Sequence, residues 1–191
     1  CFVVCNEILP RWGVETVFVD GEDNAQWEEA LSVPTTAVFF ETPSNPMQSL
    51  VDVERVSELA HAAGATVVLD NVFATPLLQR SLALGADVVV YSGTKHIDGQ
   101  GRVLGGAILG SREYIDGPVQ TLMRHTGPAL SPFNAWTLLK GLETMPVRVR
   151  HATASALEIA TFLEQHPGVS WVRYPYLASH PQHELARKQM K

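Results

Sequence analysis

The sequence predicts an α/β fold, and three observations predict it. Short apolar runs at Thr36 to Phe40, Val67 to Leu69 and Val88 to Val90 each lead into polar residues. Between the first two lies a stretch with helical spacing, in which Val53, Val56, Leu59, Ala60 and Ala63 share one face. The polar positions beyond the runs also recur at one interval, since Asn45, Asp70 and Lys95 stand 25 residues apart, about one strand–helix repeat.

The elements follow in order. A helix to about Trp12 leads to an expected strand at Val14 to Val19, and Asn24 to Leu31 reads as a short helix. The Thr36 strand runs into Glu41-Thr42-Pro43-Ser44-Asn45-Pro46, where two prolines restrict the residues before them and stiffen the loop. Asp52 stands near the start of the helix from Val53 to Ala63, and Gly64 ends it. Leu77 to Leu84 is expected as one short helix before the Val88 strand. Only the segment Ser92 to Arg102 separates that strand from the next, Val103 to Leu109, which is too short for a parallel crossover and predicts an antiparallel neighbour. Gly117-Pro118 is expected to break the next helical region, Pro132 to open a helix ending near Met145, and Val147 to Gln165 to form a second. Val169 to Tyr174 is expected as a strand, and Glu184 to Lys191 as a helix. A domain boundary near residue 145 divides the chain into 1–144 and 145–191.

The chemistry sits at the strand ends. Val88-Val89-Val90-Tyr91-Ser92-Gly93-Thr94-Lys95 closes on two hydroxyls and an amine, and Val67-Val68-Leu69-Asp70-Asn71 closes on an acid. Successive parallel strands would bring Asn45, Asp70 and Lys95 to one edge of the sheet, where open α/β folds bind ligands. An amine and a carboxylate so placed are the two protein groups that pyridoxal phosphate chemistry needs most: the amine condenses with the cofactor aldehyde, and the carboxylate keeps the pyridine nitrogen protonated. Ser92 and Thr94 supply hydroxyl donors, and Gly93 lets the backbone come close, which suits a phosphate cradle.

These residues resemble the pyridoxal-phosphate-dependent enzymes of cysteine and methionine metabolism. The matching segments are Glu41 to Pro46 (ETPSNP), Val68 to Pro76 (VLDNVFATP), Tyr91 to Lys95 (YSGTK) and Gly141 to Thr144 (GLET). The resemblance implies fold-type I, a mostly parallel seven-stranded sheet with helices on both faces, present here in part, followed by the start of a smaller α+β C-terminal domain. It implies Lys95 as the Schiff-base lysine, Asp70 as the partner of the pyridine nitrogen, Ser92 and Thr94 as phosphate ligands, and Asn45 as a contact to the cofactor ring oxygen. Family members are about twice as long, so the chain is expected to be an internal segment, with the ring-stacking tyrosine and the substrate-carboxylate arginine outside it. His96 to Arg102, Val4 to Pro10 and Met123 to Pro128 are similar to the branch that joins O-succinyl-L-homoserine to hydrosulfide. That branch implies γ-replacement giving homocysteine and succinate, with Arg102 as a candidate cation for the succinyl carboxylate. Cystathionine γ-synthases and lyases, which share every cofactor residue named, are the enzyme alternatives, and an inactive assembly module is the other. A cytoplasmic homotetramer built from dimers is implied as well.

Composition agrees. A net charge of −6 and a pI near 5.6, with no basic cluster, argue against nucleic acid as a partner. No apolar run reaches the length of a membrane span. Cys1 and Cys5 exclude a disulfide framework and share a helical face as packing residues. Gly99-Gln100-Gly101-Arg102-Val103-Leu104-Gly105 follows a polar loop rather than a strand, which argues against a dinucleotide site. His180 and His183, with a proline between and no third ligand, read as a turn rather than a metal site.

Overall fold

The computed structural model describes residues 2–191. Four strands form one sheet in the order β1-β2-β3-β4: β1 (Ala37–Glu41), β2 (Thr66–Asp70), β3 (Val88–Ser92) and β4 (Gly106–Leu109). The first three run parallel, with Glu41 beside Asp70 and Asp70 beside Val90, and β4 is antiparallel to β3, pairing Ser92 with Gly106. The short lysine segment thus returns the chain in the direction that its length demanded.

Alternation along the strands sends Val38, Phe40, Val67, Leu69, Val89 and Tyr91 into the main core. Two helices cover that face. In α1 (Asn24–Ala30), capped by Asp23, Trp27 meets Phe40 edge to face at 5.9 Å. In α2 (Val53–Ala62), capped by Asp52, Val53, Val56 and Ala60 are fully buried. The opposite alternation puts Phe39, Glu41, Val68, Asp70, Val90 and Ser92 on the other face, which is more open, with Phe39 and Ile108 exposed.

The expected helix from Leu77 to Leu84 is instead two pieces, α3 (Thr75–Leu78) and a 3₁₀ turn (Ser81–Leu84). Gln79 is the cause. Its backbone is extended because its buried amide turns inward, with Nε2 near the Thr42 carbonyl (3.3 Å), Asn71 Oδ1 (3.2 Å) and Ser81 Oγ (3.2 Å). Gly117-Pro118 does not break its helix either. Helical structure continues from α4 (Arg112–Tyr114) through a wider π-helical turn (Ile115–Val119) into α5 (Gln120–Thr126).

Past Ser131, which caps it, α6 (Pro132–Glu164) is one helix rather than two. Pro146 removes one rung. Met145 and Val149 are buried on either side of it, and packing outweighs the missing bond. Val14 to Val19 and Val169 to Tyr174 are not strands: among the described residues neither has a neighbouring strand to pair with, and Val17 and Trp171 are exposed. The last helix is α7 (His183–Gln189). Cys5 is a partly buried free thiol, and Cys1 lies outside the described residues. Among the described residues no helix is long and apolar enough to cross a membrane.

Two glutamines join the end of the chain to the segment before α2. Gln182 accepts from the Leu50 N–H (2.7 Å) and donates to the Leu50 carbonyl, while Gln189 accepts from the Val53 N–H (3.4 Å) and donates to the Val51 carbonyl (3.1 Å). Gln189 Nε2 also reaches Gln79 Oε1 at 3.2 Å, extending a buried polar network that includes Asn71, whose Nδ2 donates to the Tyr91 hydroxyl (3.0 Å) and to the Gln79 carbonyl (2.9 Å).

Candidate active site

The topology brings the three predicted strand ends to one rim of the sheet. Asp70 is the last residue of β2, Ser92 the last of β3, and Asn45 lies four positions beyond the end of β1. The loop carrying Asn45 has cis peptide bonds at both Thr42-Pro43 and Asn45-Pro46, and the Asn45 side chain is exposed.

Asp70 Oδ1 accepts the Val72 N–H at 3.0 Å, and among the described residues no cation pairs with the carboxylate. Burial raises its pKa above the ordinary 3.8, and the Val72 bond opposes this only in part. Glu41, directly across the ladder, is also raised, by burial first and then by Asp70. Sequence reading missed Glu41. Its signal was its position at the end of a strand one register step from Asp70.

Lys95 lies in a π-helical turn (Gly93–Ile97) that leaves β3, and its own backbone is non-helical, with φ −90° and ψ −113°. The turn is tied at its base by the Gly93 N–H to the Gly105 carbonyl (2.8 Å) and closed by the Asp98 N–H to the Gly93 carbonyl (2.9 Å) and the Gly99 N–H to the Lys95 carbonyl (2.7 Å). The Lys95 side chain is exposed and makes no ion pair among the described residues. Thr94 Oγ1 accepts from the Gly105 N–H at 3.3 Å, which joins the turn to the approach of β4. Gly93 permits a close approach here, since a Cβ would lie 3.1 Å from Leu138 and 3.2 Å from the Gly105 carbonyl oxygen.

Arg102 does not stand free as a cation for a ligand. Its Nε pairs with Asp98 Oδ1 at 2.8 Å and its Nη2 reaches the Asp98 carbonyl, while Asp98 Oδ2 accepts the Arg102 and Gln100 N–H groups. These bonds, led by the Arg102 N–H, hold the Asp98 pKa below its usual value. The salt bridge folds the loop on itself, and the guanidinium expected to face a succinyl group is shared with the acid three residues past the lysine. His180 Nδ1 accepts the Gln182 N–H at 3.1 Å and His183 Nδ1 lies 3.2 Å from the Pro175 carbonyl, bonds that belong to a turn.

The family model described as "Cys/Met metabolism PLP-dependent enzyme" matches residues 1–191. The chain belongs to this family. Among its relatives, O-succinylhomoserine sulfhydrylase of Mycobacterium tuberculosis is 79% identical over 190 residues, covering 100% of this chain and 47% of that protein. The protein of the same name from Pseudomonas aeruginosa is 50% identical over 184 residues, covering 96% and 45%. Among solved structures, metB from Corynebacterium glutamicum superimposes with a TM-score of 0.94 at 38% identity, covering 100% of this chain and 49% of that one. Cystathionine gamma-lyase from Lactobacillus plantarum, complexed with L-serine, gives 0.94 at 30% identity. The chain spans about half the length of the curated relatives it matches.

The family is pyridoxal-phosphate-dependent, and the residues present fit that cofactor. Asp70 is a half-buried carboxyl whose charge no neighbouring cation among the described residues balances, an arrangement that a protonated ring nitrogen would complete. Lys95 offers an uncommitted amine on the same rim, beside the hydroxyls of Ser92 and Thr94.

Proposed function

We propose that this chain is the cofactor-holding part of an enzyme that replaces the succinyloxy group at Cγ of O-succinyl-L-homoserine with sulfur from hydrosulfide, giving L-homocysteine and succinate. The observation that carries the reading is the pairing on one rim of an unbalanced, half-buried Asp70 with an uncommitted Lys95. Supporting the choice of substrate is the 79% identity to a protein named O-succinylhomoserine sulfhydrylase across the whole of this chain.

Pyridoxal phosphate, when bound, supplies an aldehyde for an amine and a ring that takes up the electron pair left when a proton leaves the substrate. In this reading Lys95 Nζ would hold the cofactor, and as a free amine it would take the Cα proton of the substrate and return protons thereafter. Asp70 would hold a proton at the pyridine nitrogen. Ser92 and Thr94 would supply hydroxyl donors for the phosphate, and Asn45 an amide donor for the ring oxygen. At the substrate, the Cγ–O bond breaks with departure of succinate and a Cγ–S bond forms, with no net oxidation or reduction.

Residues 1–144 then belong to the large cofactor domain and 145–191 to a linking helix and the start of the C-terminal domain, with α6 running through the junction. The whole protein is read as a cytoplasmic homotetramer. Competition assays on the full-length protein, with succinyl against acetyl esters of homoserine and hydrosulfide against cysteine, test the substrates. Preference for the succinyl ester and hydrosulfide is expected, whereas a clear preference for cysteine, giving cystathionine, would move the protein to the synthase reading.

A further inference from the structure

Arg148, on α6, is far in sequence from the lysine turn yet holds it. Its Nη2 reaches the carbonyl oxygens of His96 (3.0 Å) and Ile97 (3.3 Å), which follow Lys95 directly, and that of Gly141 (2.9 Å) on its own helix. Its Nε donates to Thr144 Oγ1 at 3.1 Å, fixing the plane of the guanidinium. Among the described residues no carboxylate pairs with it. A half-buried guanidinium satisfied by carbonyl groups and one hydroxyl adds little as an ion pair, but it fixes the positions of the groups it joins.

Two glycines make room for this arrangement. A Cβ on Gly99, whose φ is +71°, would lie 1.9 Å from Arg148 Nη1, and a Cβ on Gly141 would lie 2.1 Å from the Ile97 carbonyl oxygen. The guanidinium therefore lies flat against the end of the turn, with α6 pressed against the same backbone. Lys95 has no side-chain partner of its own among the described residues, so its backbone decides where the amine starts. Burial, and then the Arg148 charge, lower the His96 pKa, which keeps a second cation from forming beside the first.

From this geometry we infer that Arg148 is a positioning residue for Lys95: it locks the backbone of the lysine turn to α6 and so sets the direction of the amine. The inference rests on the reading of Lys95 as the cofactor lysine. Lysine at 148 could not reproduce it, because one ammonium cannot satisfy Thr144 and the turn carbonyls in a planar fork.

The test uses Arg148→Lys and Arg148→Met in the full-length holoenzyme, with oligomeric state and thermal unfolding as controls for folding. Three readouts follow: the pH midpoint of the borohydride-sensitive visible band, kcat and KM separately, and amide hydrogen exchange at Asp98 and Gly99 in the cofactor-free protein. The inference expects Arg148→Lys to assemble normally, to shift the midpoint, to exchange faster at those two amides, and to lose about tenfold to a hundredfold in kcat at little change in KM. If Arg148→Met fails to fold, Arg148→Lys and Thr144→Val, which removes the Nε acceptor together with a long bond to the Gly141 carbonyl (3.4 Å), decide the matter, with the smaller shift expected in Thr144→Val. Folded variants with wild-type midpoint, exchange and kcat overturn the role of Arg148. Lys95→Ala separates the two readings. A visible band surviving in Lys95→Ala would defeat the cofactor-lysine assignment itself, whereas its loss, beside an unaffected Arg148→Lys, would defeat only the positioning role.

Discussion

Gly141→Ala should destabilise the full-length protein even though alanine is the better helix former. Within a helix the exchange favours folding by about 1 kcal/mol. Against this, the added methyl would sit 2.1 Å from the Ile97 carbonyl oxygen, 3.0 Å from its carbon and 3.1 Å from the Asp98 Cα, all backbone atoms that cannot swing aside. Either α6 or the lysine turn must retreat. Overpacking of this kind costs about 1–3 kcal/mol. The retreat also stretches the bonds from Arg148 to His96 and Ile97, and a hydrogen bond to a charged group contributes about 1.5–3 kcal/mol, less where solvent reaches it. The sum is a net loss of about 2–3 kcal/mol. Thermal unfolding of the holoenzyme should show a transition several degrees lower, with kcat reduced because the turn carrying Lys95 has moved. A Gly141→Ala protein as stable as the parent, or more so, would refute the close approach of α6 to the turn.

Three further substitutions have expected outcomes. Lys95→Ala should abolish the borohydride-sensitive visible band of the full-length protein, since the other lysine in the neighbourhood, Lys140, is on α6 and pairs with Glu143 at 2.6 Å; retention of the band with full turnover would rule the assignment out. Asp70→Asn should lower kcat by orders of magnitude while cofactor binding falls less, and near-normal turnover at saturating cofactor would remove the role given to the acid. The same substitution should stabilise the cofactor-free protein at neutral pH. Because the folded pKa of Asp70 is raised, stability is lost as pH rises from the ordinary 3.8 through the folded value, and the unfolding temperature of the Asn variant should fall less over that window. Asn71→Leu should cost about 2–4 kcal/mol in denaturant unfolding, because the Gln79 carbonyl and Nε2 and the Tyr91 hydroxyl lose a partner in a dry site; a loss under about 0.5 kcal/mol would contradict the network.

The parts of the fold that the sequence disclosed are those governed by local periodicity. Apolar runs located β1, β2 and β3, the spacing of Val53, Val56 and Ala60 located α2, and the short return after Ser92 decided the direction of β4. The equal spacing of Asn45, Asp70 and Lys95 placed them near one rim because parallel strands end together. What escaped depends on distant partners. Gln79 breaks a helix because Thr42, Asn71 and Gln189 wait for its amide, and nothing within its own window says so. Pro146 looked like a boundary, yet buried residues on either side carry α6 through it. Val14 to Val19 has the composition of a strand but no neighbour to pair with. Arg148 escaped for the same reason: the nearer Arg102 pairs with Asp98, and the arginine that reaches the carbonyls after Lys95 lies on another element.

The glutamines at 182 and 189 act as borrowed peptide groups, each presenting an N–H and a carbonyl to the main chain between Leu50 and Val53 much as a neighbouring strand would. The residues they join stand 132 to 138 positions apart, so the Leu50 and Val53 N–H groups gain these partners only when the end of α7 arrives, while the Val51 N–H already has Thr42 Oγ1 at 3.1 Å. During synthesis β1, β2 and β3 can assemble from local contacts well before that. Closing the backbone beside the loop of Asn45 is therefore a late step, made by side chains from the far end of the chain.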